Sequence, residues 1–374
     1  MSAVAYLDHA ATTPMRPEAV TAMLPFLTEH FGNPSGSHSV SRRAKQALEE
    51  AREDVAGALG CRPSEVVFTG SGTEADNLAV AGVVGDGDVL CSAIEHHAVL
   101  HAVEARHGRT FPVTKDGVVD LDALAAASSD GPVAMVSVML ANNEVGTVQP
   151  LAAVVEAVHR QAPGALVHTD AVQAFPWVDV ATEAATADRV AVSAHKFGGP
   201  KGVGALVVRD GVRLAPLLHG GGQEQERRSG THNVAGIVGM AAAMVATVQQ
   251  RATTVRRVAE LRDRLAGGLI ASIDGAVETV PRARRVAGNC HVRFPGIENE
   301  ALLFLLDEAG VCASAGSACA SGALEPSHVL AAMGLSPDEA RSSVRFSLGP
   351  TTTEADVDLA LKVVPEAVAR LREP

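Results

Sequence analysis

Val190-Ala191-Val192-Ser193-Ala194-His195-Lys196-Phe197-Gly198-Gly199-Pro200-Lys201-Gly202 reads as a short apolar strand that stops at a hydroxyl, an imidazole and an amine, before a Gly/Pro-rich turn. A lysine at the end of a buried strand is costly unless its amine has a task, because desolvation disfavours the charged form and lowers its pKa. A Schiff base with a carbonyl cofactor is one such task. A surface lysine opening a loop is the commoner explanation for a lone Lys in this position. The rest of the chain decides between the two.

Val66-Val67-Phe68-Thr69, Val89 to Ile94, Val133 to Leu140, Ala165 to Thr169 and Gly204 to Val208 are further short apolar runs, with helical patterns between most of them. Strands alternating with helices predict a mostly parallel sheet covered on both faces, and ligands of such sheets sit beyond the carboxyl ends of the strands. Each strand end therefore matters. The first is followed by Gly70-Ser71-Gly72-Thr73-Glu74, a tight turn offering backbone amides and hydroxyls, which serves either as a phosphate cradle or as an ordinary helix cap. The second is followed by Glu95-His96-His97, with His101 four residues on. The His97/His101 spacing suits two metal ligands on one helix face, but no third ligand accompanies them, so solvated histidines are the better reading. His96, nearest the strand end, is the one that reaches a ligand. Asn142-Asn143 follows the third strand and offers an amide to an anionic oxygen. Asp170 and Gln173 follow the fourth, and a carboxylate at a buried strand end needs a cationic partner. Lys196 follows the fifth. Together the five ends supply a phosphate turn, an imidazole, an amide, a carboxylate and an amine, one group for each part of pyridoxal 5'-phosphate, whose ring nitrogen needs the carboxylate if the ring is to act as an electron sink.

The totals agree with an enzyme of this kind. The chain has 374 residues, 47% of them hydrophobic, enough for two cores. With one Trp (Trp177) and one Tyr (Tyr6), those cores must be built from Val, Leu, Ile and Ala. A formal net charge of −12 argues against direct nucleic-acid binding, and Arg42-Arg43 and Arg282 to Arg285 are patches too short to reverse that. The five cysteines (Cys61, Cys91, Cys290, Cys312 and Cys319) are irregularly spaced without a CxxC pair, which fits a reducing compartment rather than disulfides or a zinc ribbon. The N-terminal residues show no leader pattern and no apolar run has membrane-span length, so a cytoplasmic, membrane-free protein is expected. Pro17 to Glu29 and Ser39 to Leu59 read as helices, as does Val234 to about Leu269. From about Ile273 the elements become more mixed. We expect a large domain over residues 15–250 and a smaller α+β domain over 251–374 joined by residues 1–14.

The motifs in their order resemble the NifS/IscS-like branch of the cysteine desulfurases, within the class-V aminotransferase-like, fold-type I superfamily. The matching segments are Tyr6 to Pro14, Phe31 to Ser35, Gly70 to Glu74, Ala141 to Gly146, His168 to Gln173, Ala194 to Lys196, His219 to Glu224 with Arg228 to Thr231, Gly316 to Cys319 and Arg345 to Gly349. They span almost the whole chain. The resemblance implies a mostly parallel seven-stranded sheet and pyridoxal 5'-phosphate as cofactor. It implies that Lys196 holds the cofactor as a Schiff base, Asp170 pairs with the pyridine nitrogen, and Gln173 and Asn143 approach the phenolic oxygen. His96 stacks on the ring and moves protons, while Gly72, Thr73, Ser193 and His195 hold the phosphate. Thr231 reaches the phosphate of the neighbouring subunit in a homodimer. Asn143 and Arg345 bind the substrate, with Arg345 clamping its carboxylate. Cys319, among small residues, is the implied nucleophile: it takes sulfur from L-cysteine as a persulfide, leaving L-alanine, and passes it to an acceptor such as an iron–sulfur scaffold or a thiolation enzyme. No resident metal is implied, although Cys319 could transiently ligate an iron–sulfur cluster. The remaining cysteines are assigned to packing. A selenocysteine lyase and a class-V aminotransferase are the alternatives within the same superfamily. Two departures from the branch are Gly72, where Ala is frequent and expected to be harmless, and His9, where Asn or Tyr is common.

Overall fold

In a computed structural model of the chain, residues 4–316 and 327–373 are described. The chain opens with a two-residue strand, β1 (Ala5–Tyr6), and two helices, α1 (Pro17–Thr28) and α2 (Ser39–Leu59). The alternating part then runs β2 (Val66–Thr69), α3 (Gly72–Ala81), β3 (Asp88–Ser92), α4 (His97–Ala105), β4 (Arg109–Phe111), α5 (Leu121–Ser129), β5 (Val133–Ser137), α6 (Leu151–Gln161), β6 (Leu166–Asp170), α7 (Val180–Glu183), β7 (Arg189–Ser193) and β8 (Gly204–Val208). These strands form one seven-stranded sheet in the order β2-β8-β7-β6-β5-β3-β4.

The strand directions bring the chemistry together. Neighbouring strands from β4 through β3, β5 and β6 to β7 are parallel. β8 is antiparallel both to β7 and to β2. Two reversals restore the direction, so β2 points the same way as β7. The carboxyl ends of β2, β3, β5, β6 and β7 therefore lie along one edge, although β2 sits at the far side of the sheet. Helices cover both faces, so every residue of β2, β7 and β8 is buried, and these strands are near-continuous runs of Val, Leu and Ala rather than alternating ones.

The C-terminal part comprises α8 (Val234–Ser272), β9 (Val277–Glu278), β10 (Asn289–Arg293), α9 (Asn299–Glu308), β11 (Val311–Cys312), α10 (His328–Ala332), α11 (Pro337–Arg341), β12 (Ser343–Ser347) and α12 (Glu354–Arg372). An antiparallel sheet of order β12-β10-β9 forms here, and β1 pairs in parallel with β11. α8 is about 58 Å long at ~1.5 Å per residue. Its first half (Ile237, Met240, Met244) packs into the core under the seven-stranded sheet. Its second half (Val258, Leu265, Leu269) belongs to a second core with Leu7, Val292, Phe346 and Val364. Val329, Leu330 and Met333 join the first core, not the second. Each fully buried Val or Leu in these cores contributes roughly 1.5–3 kcal/mol. No helix among the described residues is long and apolar enough to cross a membrane.

The start of the chain links the two cores. Leu7 lies in the second core, and Ser347 N donates to Leu7 O while His9 N donates to Ser347 O. The next residues, Ala10 to Thr13, pass over the carboxyl edge of the large sheet.

Candidate functional site

A cavity of about 540 Å³ opens at that carboxyl edge, lined by Gly72, Thr73, His96, Asn143, Asp170, Gln173, Ser193, His195, Lys196 and Arg345. These are the residues singled out in the sequence, apart from Thr231 and Cys319. Thr231 is exposed and does not line this chain's own cavity. Cys319 lies outside the described residues. Gly316 and Ser327, which flank the undescribed stretch, both lie against Glu144: a Cβ on Gly316 would stand 3.4 Å from Glu144 Oε2, and Ser327 Oγ donates to the same oxygen at 2.5 Å.

Lys196 ends the single helical turn Ala194–Lys196 that follows β7. Its amine donates to the carbonyls of Ala10 at 2.5 Å and Ala11 at 3.0 Å. Gln173 Nε2 donates to the same Ala10 carbonyl at 2.7 Å, and His195 Nδ1 lies 3.2 Å from Thr12 Oγ1. The 10–13 segment is thus a strap tied to three site residues. Asp170, the last residue of β6, is buried beneath them. Burial pushes its carboxyl up to about 6, opposed by the Val172 N–H that it accepts at 2.8 Å and by the Lys196 charge. His96 caps α4: its Nδ1 accepts from Ala98 N at 3.1 Å, which leaves the proton on Nε2 in the neutral ring. Burial, reinforced by Lys196, lowers this imidazole to about 4, so it is neutral at physiological pH. On the strand-end side, Ser71 Oγ accepts from Glu74 N at 3.0 Å to start α3, and Gly72 and Thr73 of its first turn line the cavity.

Arg345, on β12, is buried and brings the second core to the cavity. Its Nη2 donates to Asp8 Oδ1 at 2.7 Å and its Nη1 to Asn143 O at 2.9 Å. Its Nε has no hydrogen-bond partner among the described residues. The guanidinium is thus held on one edge by Asp8 at the border of the cavity.

Sequence reading missed Asp8 and Asp76. Asp8 stands in the Tyr6 to Pro14 motif, but its partner is 337 residues away. Asp76 lines the cavity from α3 and is fully buried; burial, with Asp170 and Glu95 near it, raises its carboxyl well above the ordinary range. Its one sequence signal is a carboxylate on the helix face shared with Ala75 and Ala79, which are buried. The nearby His168 is also buried and is lowered to about 3, with Nδ1 2.8 Å from Ser137 Oγ. Cys91 and Cys290 are buried thiols, Cys61 and Cys312 half-buried, and burial raises the pKa of all four, which suits packing and not nucleophilic attack. His97, His101 and His328 cluster beside α4, with ring centroids 5.1 and 4.6 Å apart.

Comparison with known proteins agrees with this geometry. The class-V aminotransferase family matches residues 5–360. An IscS-like cysteine desulfurase of Mycobacterium tuberculosis is 47% identical, with 99% of this chain and 97% of that protein aligned. The cysteine desulfurase IscS of Methanosarcina thermophila is 44% identical over 98% of this chain and 92% of its own length. Among solved structures, a NifS-like protein superposes with a TM-score of 0.91 at 36% identity, covering 98% of this chain and all of that one. A structure described as SspA in complex with cysteine superposes with a TM-score of 0.80 at 31% identity, covering 93% of this chain and 99% of that one.

Proposed function

The chain belongs to the class-V aminotransferase family, and from that premise we infer that it is a cysteine desulfurase that uses pyridoxal 5'-phosphate. The observation that carries the reading is the convergence of an amine (Lys196), a buried carboxylate (Asp170), a neutral imidazole (His96) and a buried guanidinium (Arg345) on one cavity. The donor set fits the cofactor. Asp170 is a carboxylate at a buried strand end that desolvation pushes up despite the Lys196 charge, so a pyridinium would be a favourable further partner. A Cβ at Gly72 would stand 3.0 Å from both Ser193 Cβ and Val172 Cγ2, so the glycine lets the head of α3 pack closely against the residues that end β7 and follow β6 at the cavity.

Lys196 would hold the cofactor covalently, Asp170 would pair with its ring nitrogen, and Gly72, Thr73, Ser193 and His195 would hold its phosphate. Gln173 and Asn143 would approach its phenolic oxygen. When bound, pyridoxal phosphate supplies a carbonyl that condenses with amines and a ring that withdraws electrons from the substrate Cα. Arg345 orients the substrate by its carboxylate, with Asp8 fixing the guanidinium. The Lys196 amine would serve as the base for the substrate's Cα proton. His96, neutral with its proton on Nε2, is suited to give or receive a proton at the substrate. Cys319 as thiolate attacks the substrate sulfur; the new S–S bond forms as the Cβ–S bond breaks, and the carbon skeleton leaves as L-alanine. The resulting sulfane sulfur passes to an acceptor protein, for iron–sulfur cluster assembly or thio-modification.

The working unit in this reading is a homodimer in a cytoplasmic setting. Val20, Leu24 and Leu27 on α1, with Phe31 beyond it, are exposed, Phe31 at 78%. Such an apolar run supports burial against a second copy. The test is Cys319→Ala: alanine and sulfane-sulfur formation from L-cysteine should fall to background while the visible absorbance of the lysine-bound cofactor persists. Undiminished alanine production by that variant would overturn the assignment.

A further inference from the structure

The loop between β8 and α8 carries an unusual backbone. Glu224, Gln225 and Glu226 have φ of 51°, 58° and 64°, three consecutive non-glycine residues in the left-handed region. L-residues avoid that region because Cβ crowds the following carbonyl, and successive occupancy persists only where the surroundings impose it. Here the surroundings are specific. Glu224 is buried, and its carboxylate accepts a two-pronged pair from Arg52, Nη2 to Oε1 at 2.6 Å and Nη1 to Oε2 at 2.9 Å. The same carboxylate accepts from Phe68 N at 2.8 Å, and His232 Nε2 lies 2.7 Å from Oε1. Arg52 Nη1 also donates to Val66 O at 2.9 Å. Val66 and Phe68 belong to β2, the outermost strand on that side of the sheet. The Arg52–Glu224 pair therefore takes the place of the next strand, satisfying one donor and one acceptor of the open edge. A second tie lies beside it: Arg228 donates to Glu74 at 2.7 and 3.2 Å, and Glu74 accepts from Gly70 N at 2.7 Å. The loop is thus fixed in a strained shape against the sheet edge, while Thr231 at its end is exposed and away from this chain's own cavity.

We propose that Glu224, gripped by Arg52 and His232, is a positioning residue for the threonine that this chain lends to the partner subunit's cofactor phosphate. The inference rests on the reading above that Thr231 acts across a homodimer. It adds that the clamp serves the partner's site and not its own. An ion pair built only for the stability of this subunit would have no reason to act on the other.

Mixed dimers separate these cases. Glu224→Ala homodimers should bind pyridoxal 5'-phosphate at least tenfold more weakly than the parent, read from the visible absorbance of the lysine-bound cofactor during dialysis. Co-expressed with Lys196→Ala under a second tag, the Glu224→Ala subunit keeps its lysine and receives an intact loop from its partner. That mixed dimer should hold one cofactor at parental affinity. Thr231→Ala paired with Lys196→Ala is the control and should recover in the same way. If the control recovers and Glu224→Ala does not, the clamp acts within its own subunit and the proposal fails. If the control itself does not recover, Thr231 does not act across the dimer and the proposal falls with that reading. Should Glu224→Ala fail to dimerise, Arg52→Lys, which keeps the charge but not the fork, carries the same test with a smaller loss. Parental cofactor affinity in both homodimeric variants would also overturn it.

Discussion

Arg345 shows how much a single side chain depends on a residue far away in sequence. The carboxylate-binding role proposed for it requires a guanidinium that cannot swing away, and Asp8 provides the tether at 2.7 Å. Asp8→Asn keeps an acceptor but removes the ionic part of that bond. The KM for L-cysteine should rise by about tenfold with kcat within about twofold, since the interaction binds ground state and transition state alike. Steady-state kinetics decide it, and an unchanged KM would contradict the tether. Glu224 makes a different prediction, about pH. Burial alone would raise its carboxyl, but hydrogen bonds from His232 and Arg52, with the Arg52 charge, hold it at about 2 against an ordinary 4.5. A folded pKa below the unfolded one gives a stabilisation that is whole above pH 4.5 and is lost as the pH falls toward 2. The size is about 3 kcal/mol. Glu224→Gln should therefore flatten the acid limb of the stability curve between pH 4.5 and about pH 2, measured by urea unfolding. A limb as steep as the parent's would show that other carboxylates govern it.

Elements explain why some of this was readable in the sequence. Val66 to Thr69, Val190 to Ser193 and Gly204 to Val208 are unbroken runs of apolar, often β-branched residues, so both faces must be buried and the strand limits follow closely. β4 was not legible, because Arg109-Thr110-Phe111 is three residues long and only Phe111 is buried. The antiparallel run of β8 was not legible either: residues 197–203 form a tight turn that composition alone does not distinguish from a crossover. The left-handed turn at Glu224–Glu226 has no sequence marker, since those residues would suit an ordinary helix. At about 1–2 kcal/mol per left-handed residue, tertiary contacts impose what local preference opposes. Asp76 and Asp8 escaped notice for the same reason, as their importance comes from neighbours on other elements. β8 carries a further testable constraint. A Cβ at Gly204 would stand 2.6 Å from Ser71 C, 2.7 Å from Ser71 O and 2.8 Å from Val192 O, all of them backbone atoms. Gly204→Ala should destabilise by about 3 kcal/mol. It should also weaken cofactor binding, because Ser71 heads the turn that presents Gly72 and Thr73. A melting temperature equal to the parent's would contradict this.

At the scale of the whole molecule, the two cores meet where the chemistry is assigned. The large sheet brings the amine, carboxylate and imidazole, while β12 from the second core brings Arg345, and α8 runs through both cores. The exposed run on α1 and Phe31 is where the proposed second subunit would pack. Leu27→Asp with Phe31→Asp should shift the protein from dimer to monomer in sedimentation velocity and lower cofactor retention together. A variant that stays dimeric would remove α1 from the interface. Whether this cavity passes the sulfur of cysteine to Cys319 is decided by a single turnover with sulfur-labelled L-cysteine and no acceptor, followed by peptide mass spectrometry under non-reducing conditions. One alanine per active site should form, with one added, labelled sulfur atom on the peptide containing Cys319. Alanine formed with the label on another cysteine, or on none, would contradict it.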